Sequence, residues 1–170
     1  MKYRLISRIS NGIGNQMFIY AASFSISKKI GKNLFIDIYS GINNDRKKIL
    51  NKNFKHYEPK FELGIFNISS KIASDNLCFD TFFKDLKRKL LKIVDFFIKK
   101  KKFILENKKK NKQTFFDENN YKKELNNDVF LEGNFESEKY FLEHKSDIIN
   151  EFSFKNKIKC NEEYLHDIIN

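Results

Sequence analysis

The residues whose types and spacing could do chemistry cluster early in the 170-residue chain, in N-G-I-G-N-Q-M-F-I-Y-A-A, residues 11–22. Gly12 and Gly14 stand one residue apart, between an apolar segment (Leu5-Ile6-Ser7-Arg8-Ile9) and a helix-like run that stops at Gly31. Glycine lets backbone approach a ligand where a Cβ would collide. A helix N-terminus adds unpaired N–H groups and partial positive charge, which favour phosphate. Asn15 and Gln16 supply amide donors and acceptors at the same edge, suited to hydroxyls or phosphate oxygens. Asp37 ends the next strand-like segment, where a dinucleotide fold places its ribose-binding acid. Met17 occupies the place of the fingerprint's third glycine, which counts against a nicotinamide or flavin cofactor. Spacing alone leaves two readings open: a phosphate- or hydroxyl-binding turn, and a plain tight βα turn with an asparagine near the helix start.

Positioning these groups requires a strand over about residues 4–9, a helix over about 15–30 ended by a left-handed Gly31, and a strand over 34–38. Lys28 and Lys29 in the helix's last turn suit its dipole. Strand, glycine turn, helix and strand make a βαβ unit, which predicts a parallel sheet and an α/β class. Residues 40–77 hold the only proline, Pro59, and read as short elements and loops. Apolar residues at 79, 82, 83, 86, 90, 93, 94 and 97 follow a helical period with lysines opposite. Lys99 to Lys112 reads as a mobile loop, 129–133 as a strand, 136–152 as a helix and 161–169 as a last helix.

A 41% apolar share with 15% aromatic residues describes a globular chain, and the length favours one domain with one core. No apolar run is long enough to span a bilayer. Met1 to Arg4 leads directly into the first strand without a signal-peptide pattern, so a cytoplasmic location is expected. Cys78 and Cys160 lie far apart without metal-ligand spacing and read as reduced thiols. His56, His144 and His166 are scattered, so neither a nucleophilic triad nor a zinc set can be built from them, and no metal is expected. The net charge of +11 is local: residues 84–112 hold thirteen Lys or Arg against three acids, leaving twenty bases and nineteen acids elsewhere. Lysine dominates that tract, which lacks the arginine forks that read base edges, so nucleic acid is not an expected partner.

The segment N-G-I-G-N-Q-M-F-I-Y-A-A resembles the G-G-L-G-N-Q-M-F-Q-Y-A-A signature of bacterial α-1,2-fucosyltransferases, glycosyltransferase family 11. A second block, F-L-E-G-N-F-E-S-E-K-Y-F from Phe130 to Phe141, is similar to that family's L-x-G-Y-F-Q-S-E-K-Y-F. Departures are Asn11 for a glycine, Ile19 for a glutamine, Asn134 for an aromatic and Glu136 for a glutamine. The resemblance implies a Rossmann-like N-terminal half of a GT-B-type glycosyltransferase, inverting and metal-independent. Such an enzyme moves L-fucose from GDP-fucose to the 2-hydroxyl of a terminal galactose in a surface glycan. Gly12, Gly14, Asn15 and Gln16 would contact substrate, with GDP-fucose as donor and no cofactor; no catalytic base is assigned.

Family members continue to a strand bearing H-x-R-R-G-D-Y, whose arginines are expected to hold the donor pyrophosphate. That motif is absent from residues 1–170, so the sequence reads as one N-terminal domain without its donor-binding partner, a truncated or split product inactive alone. Ser137, Glu138 and Lys139 could serve the site or simply start a helix, with Tyr140 and Phe141 in the core. Residues 79–112, a basic helix (Phe79 to Lys102) plus a lysine-rich loop, read as an insertion outside the resemblance. Two uses stay open for it: docking on the anionic inner leaflet, or ordinary packing with a solvated lysine face. As a whole-chain alternative, the protein would be a non-catalytic module binding anionic membrane through Lys84 to Lys112. A nucleotide-binding oxidoreductase half is the third option.

Overall fold

The computed structural model describes residues 3–52, 58–98, 102–106 and 126–156. Five strands, β1 (Arg4–Arg8), β2 (Asn33–Asp37), β3 (Lys71–Ile72), β4 (Phe103–Leu105) and β5 (Val129–Glu132), form one sheet in the order β3-β2-β1-β5-β4. Every pairing is parallel, with Arg4 opposite Asn33 and Leu5 opposite Val129. The α/β class and Rossmann-like parallel sheet expected from the sequence are therefore present. Among the described residues, four α-helices accompany the strands: α1 (Ile13–Lys29), α2 (Ser40–Lys52), α3 (Phe82–Ile98) and α4 (Lys145–Glu151).

Side chains alternate across the pleat. Leu5, Ile9, Val129, Leu131 and Ile104 join the clusters that contain residues of α1, while Ile6 packs with Ala73, Leu77 and Cys78 away from it. α1 is buried from Ile19 to Ser27, because the segments around Phe66 and Ile148 cover the side that the sheet does not. It ends as expected: Gly31 adopts φ 64°, its N–H donates to the Lys28 carbonyl, and the Lys32 N–H donates to the Ser27 carbonyl. This pair of bonds is a Schellman close.

Four expectations change. Residues 40–52 form a full helix, which the pattern concealed because S-G-I-N-N-D-R-K-K-I-L-N-K has few apolar residues to show a period. Asp37 Oδ1 accepts the N–H groups of Tyr39 and Ser40 at 3.0 and 2.9 Å and so fixes the start of α2. Gly41 lets α2 press on β1, since a Cβ there would overlap the Ile9 carbonyl. Phe103–Leu105, expected inside a mobile loop, is instead β4, a run too short to stand out among lysines. Residues 99–101 and 107–112 of that loop lie outside the described residues, as do the last helix (161–169), Cys160, His56 and His166.

The predicted helix 136–152 is broken into two short 3-10 turns, Glu138–Tyr140 and Leu142–His144, followed by α4. The break has a packing reason, because its apolar residues serve two places: Tyr140 stacks edge-on against Phe135, whereas Phe152 reaches Tyr20 and Phe66. The fourth change concerns α3. Its ordinary packing would turn the apolar stripe inward, yet Phe83 is 81% exposed, Leu90 55% and Phe97 75%, while Arg88 is only 7% exposed.

Candidate functional site

In an open parallel sheet, ligands bind outside the carboxyl ends of the strands, where the strand order reverses. Here that point lies between β1 and β5. The chain leaves β1 through Ile9, Ser10 and Asn11 into α1, and leaves β5 through Gly133, Asn134 and Phe135. Asn11 and Phe135 have φ of 63° and 53°, the only positive values outside glycine among the described residues. Asparagine tolerates that region, whereas for a bulky aromatic it costs about 1–3 kcal/mol. Both loops beside the cleft thus hold unusual backbone. Asn11 Nδ2 donates to Asn134 Oδ1 at 3.2 Å, so two positions that depart from the family pattern touch each other.

The four expected site residues separate. Gly12 has φ −78° and caps α1 in extended conformation, and among the described residues no side chain caps the first N–H groups of the helix. Gly14 is exposed, and a Cβ there would meet nothing within 4 Å, so packing alone does not demand glycine. Asn15 is half-buried in the same turn, and its side chain has no hydrogen bond among the described residues. Gln16 is different: fully buried, it donates to the Asn11 and Lys60 carbonyls at 2.7 and 2.8 Å and accepts the Glu62 N–H at 2.9 Å. Gln16 clamps the loop to residues 60–62, and the open rim falls to Gly12, Gly14 and Asn15.

A cleft of ≈ 430 Å³ is bounded by Arg8, Asn11, Asp45, Lys92, Glu106, Glu132 and Asn134, among others, and none of Gly12, Gly14, Asn15 and Gln16 lines it. Its floor is an ion cluster. Glu132 Oε2 accepts Arg88 Nη1 at 2.8 Å and Lys92 Nζ at 2.5 Å, with Arg8 Nη1 at 3.9 Å. Arg88 also holds Asp85 at 2.7 Å. Across the cleft lining, Arg8, Lys48 and Lys92 are matched by Asp45, Glu106 and Glu132, so the described lining carries no charge surplus. Burial pushes the Arg8 pKa down, and neighbouring Arg88 adds to that; burial also lowers Lys92 despite Glu132. Such a lining offers charged donors and acceptors side by side to a polar ligand.

Among the described residues, one atom of each of two side chains in this wall lacks a hydrogen-bond partner. Glu106 is 8% exposed; its Oε2 accepts the Asn134 N–H at 2.8 Å, but its buried Oε1 has none. Arg8 Nε is likewise buried and unsatisfied, although Nη2 donates to the Ser40 carbonyl at 3.0 Å. Buried polar atoms are nearly always bonded to protein, water or ligand, so this wall is incompletely satisfied by the described residues alone. Gly133 permits the arrangement: a Cβ there would stand 2.9 Å from Glu106 Oε2 and overlap the Glu106 side chain.

Sequence reading missed Arg8, Glu106 and Glu132. A charge at the end of a buried strand was the available signal for Arg8, and a carboxylate just before a glycine the signal for Glu132. Asp37 was read as a ribose acid but serves α2. His144 is hydrogen-bonded through Nδ1 to Ser25 at 2.9 Å, in keeping with a structural role. Among the described residues no three His, Cys, Asp or Glu side chains group as a metal set, and no helix is long and apolar enough to cross a membrane. A second cleft of ≈ 440 Å³ lies around Gly31, Lys32, Ser70 and Lys71, at the amino end of β2, away from the strand ends where α/β sheets bind ligands. Comparison with known families, with characterised proteins and with solved structures finds no match.

Proposed function

We propose that this chain is the N-terminal half of a GT-B-type α-1,2-fucosyltransferase, with the cleft between β1 and β5 taking part of its substrate. One observation carries the reading. The two blocks that resemble that family lie more than a hundred residues apart, yet meet at the carboxyl ends of adjacent parallel strands and touch through Asn11 and Asn134. Paired charges, a helix start that no side chain caps and the Glu106 carboxylate lie around the meeting point. In fucose transfer the galactose 2-hydroxyl attacks the sugar's anomeric carbon, GDP leaves with the bonding electrons, and a base takes the hydroxyl proton. No base is assigned, since Glu106 lies within residues 79–112, outside the resemblance. The arginine pair for the pyrophosphate is not among these residues and would come from further sequence.

The test is fucose transfer from GDP-fucose to a terminal galactoside, by the protein extended with its downstream coding sequence. The 170-residue chain alone is expected to be inactive. In the extended protein, Asn15→Ala should abolish transfer and leave the melting temperature unchanged. Undiminished transfer would make the loop a plain turn. Thermal protection by NAD but not by GDP-fucose would point to a nucleotide-dependent oxidoreductase instead.

A further inference from the structure

α3 is mounted inside out. At 3.6 residues per turn, Phe82, Ile93, Leu86, Phe97, Leu90, Phe83 and Val94 form one continuous arc of about 120°. All seven are exposed. Arg88 lies opposite the middle of that arc and is sealed against Glu132 and Asp85. The helix is held by polar contacts: Arg88 and Lys92 to Glu132, Lys92 over the Phe103 ring at 5.6 Å, and Asp95 accepting the N–H groups of Lys102 and Phe103 at 2.8 and 3.1 Å. An outward apolar surface of this size on a soluble fold marks an interaction site.

We infer that this arc docks α3 flat on an anionic lipid surface, its phenylalanines and leucines entering the headgroup–acyl boundary. Charge complementarity selects the occupant. Exposed Lys87 and Lys89 border the arc on its two sides, and Lys99 to Lys102 follow in sequence. The helix's acids are withdrawn: Asp85 is held by Arg88 and Lys89, and Asp95 by backbone. An apolar stripe between cations is the pattern of an interfacial helix on anionic lipid. A second copy of this chain would set the same lysine borders against each other. Docking does not rest on the fucosyltransferase reading, and it answers which of the two open uses the basic helix has. Lys92 joins the two regions, since it reaches from α3 into the cleft wall.

The chain contains no tryptophan, so Phe83→Trp places a single probe in the arc. With vesicles of phosphatidylglycerol and phosphatidylcholine its emission should shift blue and be quenched by brominated acyl chains, with no change on pure phosphatidylcholine. Co-sedimentation of the full chain with the anionic vesicles should fall at least tenfold in Leu90→Glu/Val94→Glu, with an unchanged melting temperature. An unshifted probe, or undiminished sedimentation of the double variant, would overturn the inference. So would a dimer in solution that the double variant converts to monomer, which would assign the arc to self-association. None of these measurements involves GDP-fucose, so their failure leaves the transferase reading standing.

Discussion

α1 and α3 are both 17 residues long, yet the sheet uses them in opposite ways. α1 carries three serines among its apolar residues and is buried on nearly all sides, with Ser7 of β1 and Ser23 hydroxyls 2.5 Å apart in the interior. α3 has much the stronger segregation of apolar from charged residues, and it presents the apolar side to solvent. The sheet explains the reversal. At the carboxyl end of the face away from α1, β1 and β5 offer Arg8 and Glu132, and a helix laid there must answer charge with charge. Amphipathic pattern therefore reports that a helix has two sides. Which side turns inward depends on what the neighbouring strands present.

The contrast breaks hardest at Glu132. Replacing it with alanine leaves Arg88, Lys92 and Arg8 partly buried without their shared carboxylate, and about 3–5 kcal/mol of stability should be lost. Urea unfolding measures the loss, and amide exchange should show α3 released ahead of α1. A matched pair of truncations sharpens the contrast. Ile26→Ala in α1 should cost about 2–5 kcal/mol, whereas Leu90→Ala in α3 should stay within about 0.5 kcal/mol. Equal costs would mean that the arc is covered in solution.

The smallest effect is on acid stability. Burial works to raise the Asp85 pKa, but Arg88 and Lys89 outweigh it and hold the carboxylate below its ordinary range. A depressed folded pKa stabilises in full above the unfolded value, about pH 4, and the contribution vanishes as pH falls through the folded value. Between pH 5 and pH 3, α3 should lose exchange protection while α1 keeps it. Asp85→Asn should remove most of that difference.

How far the sequence carried depended on what each segment packs against. β1, α1, β2 and β5 were legible because runs such as Leu34-Phe35-Ile36 and the stop at Gly31 follow from local chemistry. α2 was hidden because its fixings, Asp37 and Gly41, are single contacts with β1 and β2 rather than an apolar period. β4 was hidden by its brevity. In the candidate site, the turn at Gly12 to Gln16 was legible, but the division between an open rim and the buried clamp of Gln16 was not. That division depends on Lys60 and Glu62, more than forty residues away. Glu106 and Arg8 acquire meaning only when β4, β1 and β5 lie side by side.

The sheet order also dictates when this protein can fold. β1 gains its first neighbour within about thirty residues, but its other edge waits for β5, whose entry Asp128 grips Arg4 across 124 residues of chain. At roughly 5–20 residues per second, that edge stays unpaired for on the order of 6–25 s of synthesis. Through that interval the central strand must keep its second edge open without recruiting another chain.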